Sequence, residues 1–385
     1  MRLFHTSDWH LGRSFHRVDL IDAQRDFLTW LLAQAVEQNV DAVLVSGDVF
    51  DRAVPSVDAV RLANSALSDF ARAKIPVVLI AGNHDSATRL GFGAELAEVS
   101  GIHVRTRTDE LDRPVTLTDS HGPVHIFAIP YLDPDVAHRE LDSGRSHTEV
   151  LNAAMNRVRA QLANRPGRSV VLAHAFITGG QPSDSERDIR VGGVGDAPAT
   201  IFDGVDYVAL GHLHGAQQVS GSTATVRYSG SPLAFSFSEV NHRTSVTLVE
   251  IDGAGHVEYS LIPTPVPRPL ARISGRLSDL LSDPEFTPNE DSWLHVILTD
   301  ERRPDAPMEL LRGRFPHILV MEFRPGSALV TPDEDLTRLR AAAHDPVEVG
   351  RAFLAYTGGG EPTDDEMAVV AQVEELARRD REASA

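Results

Sequence analysis

Five short apolar segments of this 385-residue chain each end at a turn that carries an Asp, Asn or His side chain. In chain order, Arg2–Thr6 leads to Asp8-Trp9-His10, Ala42–Ser46 to Gly47-Asp48, Val77–Ala81 to Gly82-Asn83-His84-Asp85, Ser169–Ala173 to His174, and Tyr207–Leu210 to Gly211-His212-Leu213-His214. Short buried strands followed by such turns place their polar side chains along one edge of a sheet. Residues far apart in the sequence can therefore contribute to one site.

These turns offer carboxylate oxygens, an amide oxygen and imidazole nitrogens, and the chain contains no cysteine. Such a donor set suits a pair of hard-to-borderline divalent metal ions. Two ions about 3.5–4 Å apart are a recurring device for the hydrolysis of phosphate esters. Any one of the five motifs, taken alone, is more often a polar loop residue or a core histidine. Because all five occur in this order at the ends of predicted strands, we interpret them as one dinuclear site.

The composition limits the possible functions. With 36 basic and 55 acidic residues, the formal net charge is −19, which argues against a passive nucleic-acid binder that neutralises phosphates with Lys and Arg. An enzyme acting on nucleic acid remains possible, because two divalent ions add positive charge where a phosphate sits. The chain has no apolar run long enough for a membrane span and no signal-peptide pattern at its start. We therefore expect a cytoplasmic protein with no membrane partner.

Residues 1–265 have the pattern of one α/β domain. Apolar residues recur with helical spacing over Arg17–Asn39, Val57–Arg72 and Thr148–Ala163. After the histidine pair the pattern changes to consecutive strands. This order predicts a mixed sheet or two stacked sheets rather than a purely parallel one.

Two further regions follow a proline-rich linker at Pro263–Pro269. Residues 266–330 alternate strands and short helices, which predicts a small α+β module; it is either a structural appendage or part of a substrate site. Its arginines are candidate phosphate contacts or an ordinary solvated face: Arg302, Arg303, Arg312 and Arg314. Residues 331–385 are predicted to form an acidic helical tail. An apolar stripe that includes Met367, Val370, Val373 and Leu376 packs either on its own domain or in the groove of a partner.

The ordered motifs of the first region resemble those of the calcineurin-like metallophosphoesterases. More narrowly, the chain is similar to the SbcD family of bacterial nuclease subunits. That narrower resemblance depends on less general segments: Leu172–Gly180, Ser183–Arg187, Val191–Gly193, Arg227–Pro232 and Ser236–Glu239. The resemblance implies a sandwich of two stacked mixed β-sheets flanked by helices, followed by a smaller α+β capping module and a helical tail.

The resemblance also implies how the ligands are shared. One ion would be held by Asp8, His10, Asp48 and His214, and the second by Asp48, Asn83, His174 and His212. Asp48 would bridge the two ions, and the water they activate would attack phosphorus. Manganese is the metal expected in the family, although oxygen and nitrogen ligands do not separate it from iron or zinc.

Three neighbouring residues have implied roles beside the metals. His84 would be a general acid or a stabiliser of the transition state, with the alternative that it is a further metal ligand. Asp51 would orient His84, by analogy with phosphatases that carry Gly-Asp-x-x-Asp-Arg. Arg52 would contact the substrate phosphate or only form a surface ion pair.

The function implied is that of a metal-dependent DNA nuclease, the catalytic subunit of an SbcCD-type complex that cuts double-stranded ends and hairpins. Its partner would be an SbcC-type ATPase bound by residues 331–385, in a heterotetramer built on a homodimer and associated with the nucleoid. The capping module would help to hold DNA. The main alternative is a stand-alone metallophosphoesterase acting on small phosphodiesters. A non-catalytic scaffold for DNA ends is disfavoured because every expected ligand and His84 are present.

Overall fold

The computed structural model describes residues 1–186, 196–325, 345–358 and 362–383. These residues form two compact units, Met1–Pro267 and Arg268–Ala385. The predicted segment Val191–Gly193 and the predicted start of the tail at Thr331 lie outside the described residues. The further division of the second unit into a module and a tail stays a prediction.

The first unit contains two six-stranded sheets and the helices that cover them. Its strands are β1 Arg2–Thr6, β2 Ser14–Phe15, β3 Val18–Asp19, β4 Ala42–Val45, β5 Val77–Ile80, β6 Ile102–Arg105, β7 Val115–Asp119, β8 Gly122–Ile129, β9 Arg168–His174, β10 Tyr207–Gly211, β11 Gln217–Val219, β12 Thr225–Tyr228, β13 Ser245–Ile251 and β14 Val257–Pro263. Its α-helices are α1 Ile21–Glu37, α2 Val57–Ala73, α3 Ala87–Leu90, α4 Ala94–Glu98, α5 Pro134–Leu141 and α6 His147–Leu162.

Both sheets are mixed, which confirms the predicted fold class. The first has the order β14-β13-β1-β4-β5-β6 and the second β11-β12-β10-β9-β8-β7. In the first sheet β1, β4, β5 and β6 run parallel and β13 and β14 antiparallel. In the second sheet β8, β9, β10 and β12 are parallel, and β7 and β11 are antiparallel edges.

The central strands consist almost entirely of apolar residues, which fits their position in the fold, where packing buries both faces. In β4, Leu44 packs in the core between the two sheets, while Val43 and Val45 pack in the core that includes α1 and α2. Residues of α5 and α6 cover the outer face of the second sheet in the same way. Because β1, β4 and β5 run parallel, as do β9 and β10, the polar turns that follow these strands lie together at one end of each sheet.

The second unit begins with a three-stranded parallel sheet. Its elements are β15 Leu270–Gly275, α7 Leu277–Ser282, β16 Trp293–Leu298, α8 Pro307–Arg314 and β17 Ile318–Phe323, followed by α9 Pro346–Gly358 and α10 Asp364–Ala383. Buried Leu280, Leu311 and Phe315 pack against the sheet. Arg314 is held inside this module by Glu290, Thr287 and the Leu280 carbonyl. Arg302, Arg303 and Arg312 are exposed.

Within the described part of the chain, no helix combines the length and the apolar character that crossing a bilayer requires.

Candidate metal centre

The two sheets meet closely at the edge where the polar turns begin. The Ser46 hydroxyl donates to the Ala209 carbonyl at 2.8 Å, and the Ser46 carbonyl accepts a hydrogen bond from His174 Nδ1 at 2.9 Å. A Cβ at Gly211 would lie 1.8 Å from that carbonyl oxygen, so only glycine permits this approach. The end of β4 in one sheet therefore lies directly against the ends of β9 and β10 in the other.

This approach gathers the predicted ligands into one buried cluster, although Asp8 and His214 follow strands of different sheets. Three groups have ligand atoms within 4.8 Å of one another: Asp8, His10 and His214; Asp8, Asp48 and His174; and His10, Asp48 and His84. Asp48 occurs in two of these groups. Asn83 joins the cluster through its amide oxygen, which lies 2.8 Å from His174 Nε2 and 3.2 Å from His212 Nδ1.

Several acceptor atoms of this cluster face one another, which is an arrangement suited to a bound cation. His174 donates its Nδ1–H to a carbonyl, so in the neutral ring Nε2 carries a lone pair. That lone pair faces the amide oxygen of Asn83 at 2.8 Å and Asp48 Oδ2 at 3.6 Å, both acceptors. The buried Asn83 amide nitrogen has no hydrogen-bond partner among the described residues. Acceptors that face each other without a proton between them are the arrangement a metal ion satisfies.

Several of these residues have a backbone conformation that L-residues rarely adopt. The φ angle is 53° at Asp8, 43° at His10, 50° at Asp48 and 108° at His212. Such strain persists where surrounding contacts over-determine it, and it concentrates at functional sites. Here the contacts include the Asp8 carboxylate, which accepts from the His212 main-chain N–H, and Asp48 Oδ1, which accepts from that of His84.

Burial sets the protonation states of the cluster. It lowers the pKa of His10 and His212 well below the ordinary value, and neighbouring imidazoles act in the same direction. Burial raises the pKa of Asp8 to about 6, although the imidazoles of His174 and His214 act to lower it. Because metal ions bind neutral imidazole and ionised carboxylate, ion binding at this site is expected to release protons and to weaken in acid.

Residues that the sequence analysis did not assign to the site hold its loops in place. Asp85 accepts hydrogen bonds from the main-chain N–H groups of Val49, Phe50 and Gly82 at 2.9–3.0 Å. It thereby ties the Asp48 turn to the Asn83 turn. Gln24, buried in α1, donates to the Trp9 and His10 carbonyls. Asp85 was visible as the last residue of its motif, whereas nothing in the helical pattern of α1 marks Gln24.

Glu239 is a further unassigned residue, and it lies beside His214. Its carboxylate is 3.1 Å from His214 Nδ1. Burial is the largest single influence and acts to lower the pKa of His214, but the hydrogen bond to Glu239 and the negative charges of Glu239, Asp8 and Glu186 together raise it. The sequence segment Ser236–Glu239 pointed to this position without indicating its role.

The structure places His84, Asp51 and Arg52 at different depths. His84 Nδ1 donates to the main-chain oxygen of Asp51 at 2.8 Å, and His84 Nε2 lies 4.0 Å from Asp48 Oδ2. The Asp51 carboxylate instead lies 3.8 Å from His10 Nδ1 and 3.7 Å from the Arg13 Nε. The Arg52 side chain is 80% exposed, with its Nε 3.3 Å from Asp51. Asp51 thus contacts His84 through its backbone.

A family model for calcineurin-like phosphoesterases matches residues 1–216 of this chain, more than half its length. The chain belongs to the calcineurin-like phosphoesterase family. A second model, described as a type 5 capsule protein repressor C-terminal domain, matches residues 266–357. This phosphoesterase therefore carries its family domain in the first unit and a distinct domain in the second.

Among curated proteins, the chain is similar to the SbcD subunit of the SbcCD nuclease of Staphylococcus epidermidis (strain ATCC 12228 / FDA PCI 1200). The two are 29% identical over 324 residues, which cover 83% of this chain and 85% of that protein. The chain is thus an SbcD-like member of the phosphoesterase family.

Two solved structures show weaker overall similarity. TT1561 of Thermus thermophilus is 14% identical with a TM-score of 0.40, covering 68% of this chain and 98% of that one. A dimetal phosphatase from Danio rerio is 12% identical with a TM-score of 0.38, covering 59% of this chain and 86% of that one.

Proposed function

We propose that this protein is a metal-dependent DNA nuclease, the catalytic subunit of an SbcCD-type complex, with both exonuclease and endonuclease activity on duplex ends and hairpins. The observation that carries the proposal is the buried convergence of seven oxygen- and nitrogen-bearing side chains at one sheet edge. Its members are Asp8, His10, Asp48, Asn83, His174, His212 and His214. The similarity of most of the chain to a component of an SbcCD nuclease supports the choice of substrate.

Two divalent ions, manganese by preference, are assigned to this cluster. Asp8, His10, Asp48 and His214 would hold one ion, and Asp48, Asn83, His174 and His212 the other. Asp48 Oδ2 lies 3.7 Å from His10 Nε2 and 3.6 Å from His174 Nε2, one proposed ligand of each ion, and this position supports its role as the shared ligand. When bound, such a pair of ions supplies an activated water near neutral pH and stabilises negative charge on a phosphate.

His84 is the proposed general acid or transition-state stabiliser. Its hydrogen bond to the Asp51 carbonyl fixes the ring so that Nε2 faces the ligand cluster. A histidine in this position can donate a proton from Nε2 to the leaving oxygen while Nδ1–H stays bonded to the carbonyl. The alternative is that His84 is a further metal ligand, because its ring lies within ligand distance of His10 and Asp48.

Asp51 and Arg52 are proposed to act at the rim of the site. The main chain of Asp51 orients His84, and its carboxylate lies beside His10 and Arg13. Arg52 is proposed to contact a substrate phosphate, since its side chain is exposed and its guanidinium lies at the rim of the site, with Nε against Asp51. A guanidinium suits this contact because it can bind phosphate with two N–H groups.

The second unit is proposed to serve the partner and the DNA. On α10, Val369, Val373 and Leu376 are exposed and follow helical spacing, so this stripe is the proposed docking surface for an SbcC-type ATPase. The module built on β15, β16 and β17 is proposed to cap the site and to contact duplex DNA. We place the complex in the cytoplasm, associated with the nucleoid.

A second surface supports the proposed homodimer. Phe92, Leu96 and Val99 at α4 are 80–91% exposed, and Val57 and Val60 of α2 are exposed as well. The two helical regions are linked where Arg89 donates to the Ala53 carbonyl. Exposed apolar side chains on these helices could pair with the same surface of a second copy, and a self-complementary surface is the commonest route to a dimer.

Leu96→Glu should therefore shift the purified protein from dimer to monomer, as measured by light scattering, because the charge would be buried in the interface. Val136→Glu is the control, since Val136 is also exposed but lies on α5. It should leave the dimer intact.

The decisive experiment is the cleavage of labelled hairpin and linear duplex DNA with manganese, with and without the partner ATPase. Metal-dependent cleavage that is lost in Asp48→Asn supports the nuclease. If DNA stays intact even with the partner while a small phosphodiester is hydrolysed rapidly, the protein is instead a stand-alone phosphoesterase.

A further inference from the structure

Three of the segments that distinguish this chain from generic phosphoesterases converge on a single ligand, His214. From the segment at 183–186, Glu186 accepts the main-chain N–H of His214 at 2.8 Å. From the segment at 227–232, the Ser231 N–H donates to the His214 carbonyl at 3.0 Å. From the segment at 236–239 comes the carboxylate of Glu239. These segments therefore share a structural task that the metal motifs alone do not explain.

Glu239 is the centre of this arrangement. It is 2% exposed, and its Oε2 accepts the Phe235 main-chain N–H at 2.7 Å. Its Oε1 accepts a hydrogen bond from Ser185 Oγ and lies within hydrogen-bond distance of Ser183 Oγ, at 2.9 Å, and of His214 Nδ1, at 3.1 Å. A buried carboxylate with this many donors is fixed in one orientation.

The hydrogen bonds also fix the proton on His214. Ser185 Oγ has one proton and donates it to Glu239, which as a carboxylate can only accept. Ser185 Oγ, 2.5 Å from His214 Nδ1, and Glu239 Oε1, 3.1 Å from it, are then both acceptors, so Nδ1 carries the proton and shares it between them. The lone pair of the neutral ring is therefore on Nε2, which lies 3.2 Å from His10 Nε2 within the ligand cluster.

The other half of the cluster lacks such a carboxylate among the described residues. His174 donates its Nδ1–H to the uncharged Ser46 carbonyl. A carboxylate that accepts from a ligand imidazole makes the ring a stronger base and locks its orientation more firmly than a carbonyl does. The imidazole of His214 is therefore held more firmly, and is a stronger base, than the imidazole of His174 in the other half.

We propose that Glu239 is a positioning residue that makes the ion held by His214 bind more tightly than the second ion, and that it ties residues 183–186 to that ion. The proposal rests on the dinuclear centre assigned above. Loss of a carboxylate that orients a ligand histidine typically lowers metal affinity about 10- to 100-fold. That loss should fall on one ion only.

The test is a calorimetric titration of the metal-free full-length chain with Mn²⁺, together with electron paramagnetic resonance of the bound manganese. The wild type should show a tight and a weaker binding step and, when filled, the signal of a spin-coupled pair. Glu239→Ala should weaken the tight step about 10- to 100-fold and leave the weaker step unchanged. With one equivalent of manganese the wild type should give the signal of single, uncoupled ions, because its tight site fills first.

Two further variants provide an independent test and a control. Ser185→Ala removes one acceptor of the Nδ1 proton but keeps Glu239. It should therefore weaken the tight manganese-binding step by a smaller factor. This variant tests the proposal even if Glu239→Ala fails to fold. Ser222→Ala is the control, because its hydroxyl bonds Asp203 and the Ala224 main-chain N–H rather than residues 183–186, Glu239 or His214. It should bind manganese like the wild type.

Other outcomes overturn the proposal in distinguishable ways. If the Glu239 and Ser185 variants bind two ions as the wild type does, or lose both steps equally while staying folded, Glu239 has no selective positioning role and the nuclease proposal is unaffected. If the wild type binds no manganese, the dinuclear centre and this inference both fail.

Discussion

The role of each histidine in the site depends on which ring nitrogen carries the proton. His84, His174 and His214 each direct Nδ1 to an oxygen outside the ligand cluster: the Asp51 carbonyl, the Ser46 carbonyl and Ser185 with Glu239. Their Nε2 atoms are left to face the cluster. A shared tautomer of this kind prepares imidazoles for metal or proton chemistry before any ion or substrate arrives.

The first residue-scale prediction separates a ligand from an acid. Asp48→Asn removes a charge from two ligand groups, so at least one ion should be lost, and DNA cleavage with it. His84→Gln should keep the metal content of the wild type and lower the cleavage rate at least about 100-fold, the usual contribution of a general acid. Metal analysis and DNA cleavage assays measure the two effects.

Asp51→Asn is the matched control for the His84 variant. The main-chain oxygen of Asp51 holds His84, so the amide variant keeps that bond and should lose far less activity. Loss of metal from His84→Gln would identify His84 as a ligand instead.

The second residue-scale prediction concerns a histidine outside the cluster. His5 donates from Nε2 to the Leu210 carbonyl and accepts from the Tyr207 hydroxyl at Nδ1, and burial lowers its pKa to about 3. The unfolded chain therefore binds a proton at this position below about pH 6.5 that the folded chain does not. The neutral ring's contribution to stability is complete above that pH and declines as the pH falls, by at most about 1.4 kcal/mol per unit.

Chemical denaturation of wild type and His5→Gln measures this effect, because the other histidines are common to both proteins. The stability advantage of the wild type at pH 7 should shrink steadily towards pH 4. A constant difference across that range would show that His5 is not held neutral by the fold.

At the scale of elements, the pitch of a helix decides which apolar residues are available to a partner. On α10, Val370 faces α9, since a Cβ at Gly350 would lie 2.5 Å from the Val370 side chain. Val373 is 60% exposed. Two residues of one predicted apolar stripe thus have different tasks, one in pairing the helices and one on the open surface.

We expect Val373→Glu to abolish co-purification with the partner ATPase while leaving the helical content and metal content unchanged. A charge placed in an apolar groove is left without water and without a partner. Val370→Glu should instead disturb the contact between α9 and α10 and reduce helical circular dichroism. If Val373→Glu binds the ATPase at full affinity, the docking surface lies elsewhere.

At the scale of the whole molecule, the acidic character of the chain has to be reconciled with a polyanionic substrate. A net charge of −19 repels DNA at long range. Bound divalent ions reverse the sign only locally, which suffices for a small phosphodiester but not for a duplex. Under the proposed function, we therefore expect the second unit and the partner to contribute to the affinity for DNA.

Ending the chain after Pro267 should separate hydrolysis of a small phosphodiester from cleavage of duplex DNA. The first unit has its own cores between and outside its sheets, so it should fold, bind metal and hydrolyse a chromogenic phosphodiester at a rate near that of the full chain. Cleavage of duplex DNA should fall far more. Equal retention of both activities would show that the second unit does not contribute to DNA binding.

The sequence by itself predicted the fold class, the seven residues that the structure gathers as proposed ligands, and the alternation of strands and helices in the second unit. It could do so because buried strands, helical periodicity and turn residues are local signals. The predicted strand ends were one residue short in β9 and β10. Strand pairing there continues to His174 and Gly211, which lie opposite each other.

Only the tertiary structure decided which polar groups support those ligands. Nothing local reveals that Glu239 accepts from His214, that Asp85 joins two turns, or that Asp51 holds His84 through its backbone. The contacts of Asp85 and Asp51 join the turns after β4 and β5 of the first sheet, whereas Glu239, which precedes β13 of that sheet, meets His214, which follows β10 of the other. Hydrogen-bond geometry and burial arise from that packing, so no pattern along the chain encodes them directly.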